Sequence, residues 1–463
     1  MPTVRRLLIS LLFFAVMLNT SPFAAAQPPK EWVDPATGHR VVRLSEEPGS
    51  RSLYFHQYPF SQDGKKMVFT TPRGLAAVDL TTRKVETVHE GAGRVLVTGR
   101  KTGDIYYILD GAVHAVDFDT HESRLVAELP QEHRWPFGAE GKEIPLRSRM
   151  DSIRMDEARR RNRGWGNITV NCDETLIVGV GHDPDGSAQP KEVPAGQSIG
   201  GRLAPRWKSG MPMLMFTIDI ETGQKKVIHR SNDWLNHLQC SPTDPDQILF
   251  CHEGPWHYVD RTWLIRSDGS QLTQVHQRTM DFEIAGHEFF SQDGKQVLYD
   301  LQTPRSLVFW LASYDIETGK RHWYLHKRQE WSVHYNVSPD GTLFSGDGGG
   351  PSSVAAQAPG YGQLDEPGNG TWMYLFRPSL VKRTGLPEQA AKQIKAGVLL
   401  SERLVDLSNH DYDLEPNGIF TPDGNWLVFR SNMHGKSHVY MVELEKAIHA
   451  LERPDNRTGA DAR

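Results

Sequence analysis

Cysteine is scarce in this chain, with only three among 463 residues: Cys172, Cys240 and Cys251. A disulfide-stabilised scaffold needs more than that, so the fold must depend on an ordinary hydrophobic core. No Cys-x-x-Cys pair occurs, which excludes a zinc ribbon. Cys240 and Cys251 flank one predicted hairpin turn, and two alternatives stay open: a disulfide in an oxidising compartment, or two half-buried thiols on adjacent strands.

Excess positive charge and long apolar runs are also lacking. The formal net charge is −5, which gives no reason to expect a nucleic-acid partner. Beyond the N-terminus no apolar stretch is long enough to span a bilayer, so we expect no membrane anchor. The Gly-x-Ser-x-Gly motif is missing as well, which argues against a fused serine hydrolase.

The first 26 residues have the pattern of a secretory signal peptide. Arg5 and Arg6 precede a short apolar run over Leu7–Leu18, and Ala24–Ala26 offers small residues for cleavage. We therefore expect residues 1–26 to be removed and the mature protein to be periplasmic or secreted. The simple signal favours the periplasm.

An internal repeat argues for one domain over residues 27–450, followed by a disordered tail over 451–463. Its clearest element is an apolar residue, a polar turn and a short apolar strand. Close copies begin at Phe60, Phe290, Val337 and Phe420, looser copies begin at Val170 and Cys240, and a degenerate one lies near Val95–Leu109. Asp-Gly sets a tight turn, and the alternating apolar residues predict the returning strand.

A second element follows several of these copies, as in Ile218-Asp-Ile-Glu-Thr-Gly and Tyr314-Asp-Ile-Glu-Thr-Gly. It predicts a third strand, a turn and a fourth strand. Four strands per repeat, at a period of roughly 40–50 residues, are typical of β-propeller blades. The sequence therefore predicts an all-β fold, a seven-bladed β-propeller of four-stranded blades.

Three insertions widen the spacing, at about 130–163, 184–208 and 348–370. The first contains a predicted short helix with the basic run Arg159–Arg163. Two interpretations of that run remain open: a contribution to an anionic ligand site, or a solvated helix face.

Polar residues recur at one register, four positions before each turn. They are His237, His287, His334, Asn417, Gln57 and Asn167. A lone strand histidine is usually a structural, hydrogen-bonded one. Three at one register on consecutive blades favour a site at one end of the central channel.

The strands that return from the turns end at the same mouth, and their ends are polar too. The richest is the run from Cys251 to Arg261, which includes His252, and a later one ends with Arg430. Glu415 and Asn417 alternate along the last inner strand, so both project to one side. With His334, and with His410 as a further candidate, their oxygen and nitrogen atoms can hold a divalent cation. The alternative is a hydrogen-bonded cluster without metal.

With these residues placed, the chain resembles the oligogalacturonate lyases, polysaccharide lyase family 22. The resemblance rests on Phe250-Cys-His-Glu-Gly-Pro, Gly286-His-Glu-Phe, Trp234-Leu-Asn-His and Phe420-Thr-Pro-Asp, and it extends from Arg43 to about Leu444. It implies a seven-bladed propeller that cleaves short galacturonides by metal-assisted β-elimination, typically with manganese. The expected partner is thus an acidic oligosaccharide, and the oligomeric state is left open.

The chemistry requires a base that removes the proton at C5 of a uronate, and neutralisation of the adjacent carboxylate by a cation or an arginine. By resemblance, the base is His287, a residue type suited to that task. The same carry-over assigns a catalytic arginine to Arg261. We expect His237, His252 and Arg430 to contact substrate or to support the groups that do.

The metal site is where this sequence departs from the family. One family histidine corresponds to His334, but the closing Gln-x-x-His-x-His falls on Tyr412, Glu415 and Asn417. We therefore expect an oxygen-richer site, for which Mn²⁺, Ca²⁺ and Mg²⁺ are all suitable. The competing hypothesis is a non-enzymatic propeller that binds a protein or glycan partner in the periplasm. Such a protein has no need for a His, an Arg and a carboxylate at one mouth.

Overall fold

The computed structural model describes residues 28–91, 93–135, 165–192, 203–351, 353–356, 371–382 and 394–447. The signal peptide predicted over 1–26, the tail predicted over 451–463, and the basic run Arg159–Arg163 lie outside these residues. No helix in the described part of the chain has the length and apolar character needed to cross a membrane.

Antiparallel β-sheets make up nearly all of the regular structure. Both ends of the described chain share one five-stranded sheet, ordered β1-β2-β28-β27-β26. Its strands in that order are Glu31–Val33, His39–Arg43, His438–Lys446, Trp426–Ser431 and Ile419–Phe420. The N-terminal segment thus pairs with the last strand, which closes the ring of sheets.

The next four sheets follow the chain in order. A three-stranded sheet holds β3–β5, which are Lys66–Thr71, Gly74–Asp79 and Val85–Glu90. A four-stranded sheet holds β6–β9, which are Arg94–Thr98, Ile105–Leu109, Ala112–Val116 and Ser123–Glu128. A second holds β10–β13, which are Ile168–Val170, Leu176–His182, Met213–Asp219 and Lys225–Ser231. A third holds β14–β17, which are Trp234–Cys240, Gln247–Glu253, Thr262–Arg266 and Thr273–Gln274.

The last sheet has eight strands in the order β18-β19-β20-β21-β25-β24-β23-β22. Strands β18–β21 are Ile284–Phe290, Gln296–Gln302, Phe309–Asp315 and Arg321–His326. Strands β22–β25 are Tyr335–Val337, Phe344–Gly346, Trp372–Leu380 and Ile394–Asp406. The described residues also form one short α-helix, α1, and two 3-10 helices, which are Ala204–Ser209, Gln131–His133 and Arg328–Glu330.

The strand counts differ in places from the predicted four per sheet, and two of the differences have a local cause. The three-stranded sheet is extended only by isolated bridges from Arg51 to Thr70 and from Phe60 to Met67. The eight-stranded sheet arises because β21 and β25 pair in parallel, starting at Arg321 opposite Ile394. That pairing joins two antiparallel groups of four strands along their outer edges.

The repeated turns confirm the structure predicted for them. Ser291 donates its hydroxyl to Asp293 at 2.6 Å, and the glycine of the same turn, Gly294, has a φ of 70°. Asp219 likewise accepts from the backbone and hydroxyl of Thr222, both at 2.7 Å. Serine, aspartate and glycine therefore recur because each supplies one part of the turn: hydroxyl donor, acceptor and left-handed backbone.

Apolar side chains of successive sheets pack against each other around a common cavity. Tyr106 and Phe216, from neighbouring sheets, share one buried cluster, and Leu249 and Tyr299 share another. The cavity has a volume of about 890 Å³. It is lined by residues from every sheet, which include Thr70, Val95, Ile168, Leu238, Phe289, Asn336 and Ile419. This radial arrangement is that of a β-propeller.

The three cysteines are free thiols. Cys240 and Cys251 both lie in the hairpin of β14 and β15, but they pair across it with Ile248 and Asn236. The sequence left open a disulfide between these two cysteines or two separate thiols on adjacent strands, and the structure has separate thiols.

Candidate functional site

Three residues of the predicted polar register have an unusual backbone. His237, His287 and Asn417 have φ angles of 48°, 49° and 55°, in the left-handed region that residues other than glycine seldom adopt. At His237 and His287 the pairing of the inner strand with its neighbour is interrupted by a bulge. Because a bulge turns its side chain out of the normal alternation, the two histidines are aimed differently from regular strand residues.

A loop over residues 52–57 enters the channel between these inner strands. The backbone N–H of Phe55 donates to the side-chain oxygen of Asn417 at 3.0 Å. Its carbonyl accepts from the side-chain amide of Asn336 at 3.0 Å. The Phe55 ring is buried and lies 4.6 Å from the ring of His334 and 6.4 Å from that of His287. Through Phe55 this loop therefore presents an apolar ring to His334 and His287.

The histidines of the mouth form one aromatic cluster. Ring centroids are 4.7 Å apart for His287 and His334, and 6.5 Å apart for His237 and His287. The loop adds His56, 6.3 Å from His237, and Tyr54, 5.1 Å from His334. The structure thus brings together the three histidines that the sequence placed at one register.

His287 is buried, with only 8% of its surface accessible. Its Nδ1 is buried and has no hydrogen-bond partner among the described residues. Its ring packs edge-on against Trp256, with centroids 4.8 Å apart. Burial, followed by the neighbouring His334 and His237, holds the pKa of His287 well below its usual value. The imidazole is therefore neutral at pH 7 and has a lone pair on one ring nitrogen.

A buried ion network lies behind this cluster. The guanidinium of Arg261, a residue about 1% exposed, donates to Glu253 and lies 3.7 Å from Glu288. Glu253 in turn is 3.3 Å from Nε2 of His237. Burial opposes the charge of Arg261, but the Cys251 thiol and the two carboxylates raise its pKa, so it stays a cation.

Glu253 is ionised for the same reason. Burial alone would raise its pKa, but Arg261 and then His237 hold that pKa well below the usual range. The carboxylate also accepts from the amide of Asn236 at 3.2 Å and from the indole of Trp256 at 3.3 Å. Glu253 therefore connects Arg261 to His237 and Trp256, whose rings both lie beside that of His287.

His334 is held by a carboxylate on the opposite side of the mouth. Asp347, which is fully buried, accepts from Nδ1 of His334 at 2.8 Å and from its backbone N–H at 2.8 Å. Because a carboxylate only accepts, the proton is on Nδ1, and Nε2 is left with a lone pair. The hydroxyl of Tyr54 donates to Nε2 at 3.2 Å. The carboxylate of Glu415 lies 4.0 Å from the same nitrogen.

The other two residues considered as metal ligands are hydrogen-bonded elsewhere. Asn417 accepts from Phe55 and donates its amide to the carbonyl of Glu415 at 2.9 Å. His410 contacts the hydroxyl of Ser431 at 2.9 Å through Nδ1 and the carbonyl of Leu414 at 2.6 Å through Nε2. Both residues fix the backbone that carries Glu415, and neither side chain joins the pair formed by His334 and Glu415.

His252 and Arg430, predicted to contact substrate, lie at different places around the mouth. His252 is 3.4 Å from Asp233 and packs against the ring of Trp263, and burial lowers its pKa to about 4. Arg430 lines the cavity and donates to the carbonyls of Glu415 at 2.7 Å and Ser52 at 3.0 Å. Arg430 thus ties the loop to the last inner strand.

Sequence reasoning missed Tyr54, Phe55 and His56, although they directly precede Gln57, a residue of the recognised register. Gln57 itself supports the loop, since it accepts from the backbone of Tyr54 at 3.0 Å and donates to Leu96 at 2.8 Å. The run Tyr-Phe-His directly before Gln57 was the signal that could have placed these three residues at the mouth. The second residue of the register without a recognised role, Asn167, donates to Asn236 at 2.6 Å.

Comparison with known protein families assigns about half of the chain. Residues 209–448 match the family model described as oligogalacturonate lyase. The matched region contains the three register histidines, Arg261 and Glu415.

Similar curated proteins and solved structures agree with that match. An oligogalacturonate lyase of Dickeya dadantii is 26% identical over 90% of this chain and 96% of its own length. An oligogalacturonide lyase of Pectobacterium atrosepticum is 25% identical over the same shares. Among solved structures, an oligogalacturonate lyase in complex with manganese has a TM-score of 0.65 at 23% identity, covering 90% of this chain and 96% of its own. One from Vibrio parahaemolyticus has a TM-score of 0.66 at 22% identity, covering 90% and 97%.

Proposed function

This chain belongs to the oligogalacturonate lyase family, and on that premise we propose that it cleaves oligogalacturonides by β-elimination with His287 as the base. The observation that carries the proposal is the state of His287: neutral, buried, and without a partner for Nδ1 at the mouth of the channel. Buried ring nitrogens without a partner among the described residues also occur in His229 and His252. His287 differs from these two because its ring lies between those of His237 and His334 at the mouth.

The proposed reaction breaks two bonds and forms one double bond. His287 accepts the proton from C5 of a uronate, the oxygen on C4 leaves with the bonding electrons and takes up a proton from water, and a C4=C5 double bond forms next to the carboxylate. Trp256 and Phe55 pack around the imidazole, which keeps water from competing for it and fixes its orientation.

Arg261 acts in this proposal by positioning other groups. The sequence assigned it to catalysis, but its guanidinium is buried between two glutamates and has no open path to a substrate carboxylate in this structure. We propose that Arg261 holds Glu253 ionised, and that Glu253 orients His237 toward the substrate. His252 and Arg430 remain proposed substrate-side residues at the rim.

The donor atoms at His334 and Glu415 fit a divalent cation. Two ligand atoms each about 2.1 Å from one ion lie at most ~4.2 Å apart, and these two are 4.0 Å apart. Asp347 fixes the opposite nitrogen of His334, an arrangement common behind metal-binding histidines. The hydroxyl of Tyr54, which now donates to Nε2, would have to yield that nitrogen to an ion.

We propose manganese for this site, because one similar solved structure is a manganese complex. Calcium and magnesium share the preference for oxygen ligands and are the alternatives. Asn417 and His410 take part by holding the strand that carries Glu415. A bound cation would neutralise the uronate carboxylate and so make the C5 proton easier to remove.

We also propose that the eight-stranded sheet counts as two blades, which gives seven with the other five sheets. Export to the periplasm follows from the signal-like residues 1–26.

The test is the ultraviolet absorbance of the unsaturated product. Purified mature protein is mixed with di- and trigalacturonate, with added Mn²⁺ or with a chelator. We expect a rise in absorbance that the chelator abolishes. No rise with Mn²⁺, Ca²⁺ or Mg²⁺ would contradict the proposed function and revive the partner-binding alternative.

A further inference from the structure

Arg206, in the short helix α1, is a cation with no counterion in the described part of the chain. Its guanidinium carbon lies 3.8 Å from the ring centre of Trp234 and 4.8 Å from that of Trp135. The structure gives its side chain no hydrogen-bond acceptor and no ion pair among the described residues. Nearby arginines differ: Arg230 pairs with Asp183, and Arg266 pairs with Asp244.

The half-buried position makes this lack of partners costly. Burial lowers the pKa of Arg206 to about 10, which still leaves it charged at neutral pH. Two aromatic faces compensate part of the lost hydration, but they accept none of the N–H groups. A guanidinium presents five donors in a planar fork that matches a carboxylate. The unused donors are therefore what a carboxylate ligand requires.

The position of Arg206 places these donors at the rim of the site. Trp234 begins β14 and is paired with Glu253, which ends β15. Trp207, the next residue of α1, packs on the loop after Glu253, so closely that a Cβ on Gly254 would lie 2.6 Å from its ring. Of the charged groups that influence Arg206, Glu253 is the one that raises its pKa. Helix α1 thus lies against the ends of β14 and β15, the strands that carry His237 and Glu253.

We propose that Arg206 binds the carboxylate of a second uronate unit, next to the one that undergoes elimination. This inference rests on the proposed function for the substrate class. Arg206 does not contact His287, whose own neighbours are Trp256, His334, His237 and Phe55. Arg206 therefore binds a neighbouring sugar unit. It favours a free carboxylate over a methyl ester, since an ester carries no charge.

The experiment measures binding of trigalacturonate by calorimetry in a His287→Ala background, which prevents turnover. Arg206→Met keeps an apolar side chain between the tryptophans and removes all donors. Arg206→Lys keeps the charge and loses the fork. We expect the affinity to fall about 10- to 100-fold in Arg206→Met and less in Arg206→Lys. Melting temperatures should stay close to that of the background protein. Arg266→Met, on the same sheet as Trp234, is the matched control and should bind as the background does.

Two results would overturn the inference. One is an affinity within about twofold of the background protein in Arg206→Met. The other is a loss of affinity that appears in both variants only together with a fall in melting temperature, which would mean that Arg206 merely fastens α1. Failure of the proposed function looks different: trigalacturonate then binds in an Arg206-dependent way, but the parent protein forms no unsaturated product.

Discussion

The two sides of the channel mouth differ in how completely their polar groups are satisfied. On the β14–β18 side, Nδ1 of His287 is buried without a hydrogen bond among the described residues. On the β22–β26 side, His334, Asn417 and His410 all have hydrogen-bonded side chains.

The difference indicates a division of labour. An unsatisfied buried polar group costs about 1–3 kcal/mol, and such costs concentrate where a group is needed for chemistry. The β14–β18 side combines that cost with left-handed backbone at both histidines, whereas the left-handed residue of the β22–β26 side, Asn417, has a hydrogen-bonded side chain. The β22–β26 side has the features of a platform that fixes orientations. We therefore assign proton transfer to the first side and cation binding to the second.

The largest expected effect concerns the buried ion network of the β14–β18 side. Arg261→Met leaves Glu253 and Glu288 buried without their cation, so we expect the free energy of unfolding to fall by about 3–5 kcal/mol. Chemical denaturation checks this. In Arg266→Met, whose partner Asp244 is well exposed, the loss should be below about 1 kcal/mol. Equal losses in the two variants would contradict the buried network.

The regular parts of the fold were predictable from the sequence. Even the degenerate copy near Val95–Leu109 forms strands β6 and β7, because short runs of β-branched and aromatic residues are enough to define them. The common register of His237, His287 and His334 was predictable too, since equal offsets from equal turns give equal heights along the channel.

The remainder depended on contacts that no local pattern encodes. The 52–57 loop enters the channel because Asn336 and Asn417, far away in sequence, bind the backbone of Phe55. The use of Asn417 for that contact could not be read from its spacing to Glu415. The pairing of β1 and β2 with β28 and the parallel pair of β21 and β25 likewise join distant segments.

A smaller effect is expected from Asp300, a fully buried residue on β19, next to β18. Burial raises its pKa to about 7, although Gln302 and Trp331 donate to it. Because the folded pKa is above the unfolded value, stability is greatest in acid and declines as pH rises from about 4 to 7. The decline due to this group should be about 2–4 kcal/mol.

Asp300→Asn removes this titration. Denaturation of the parent and variant between pH 5 and 8 should give a difference in unfolding free energy that shifts in favour of the variant as pH rises. A difference independent of pH would show that Asp300 is ionised in the folded protein throughout this range.

The smallest expected effect tests the β22–β26 side. Asp347→Asn weakens the hold on Nδ1 of His334, and we expect Mn²⁺ affinity to fall about 10- to 100-fold. Electron paramagnetic resonance of free Mn²⁺ measures it directly. Asp340→Asn is the control, because Asp340 lies in a distant turn of the same sheet, bound to Ser338. Unchanged affinity in Asp347→Asn would remove His334 from the proposed site.

The division of labour itself is tested most directly by comparing His287→Ala and His334→Ala in the absorbance assay on trigalacturonate over a range of Mn²⁺ concentrations. If His287 is the base, its variant loses about 10²- to 10⁴-fold in kcat/KM at every concentration. If His334 serves the cation, its variant recovers activity as Mn²⁺ is raised. A His287→Ala protein that keeps activity within about tenfold of the parent, or regains it with metal, would contradict the account.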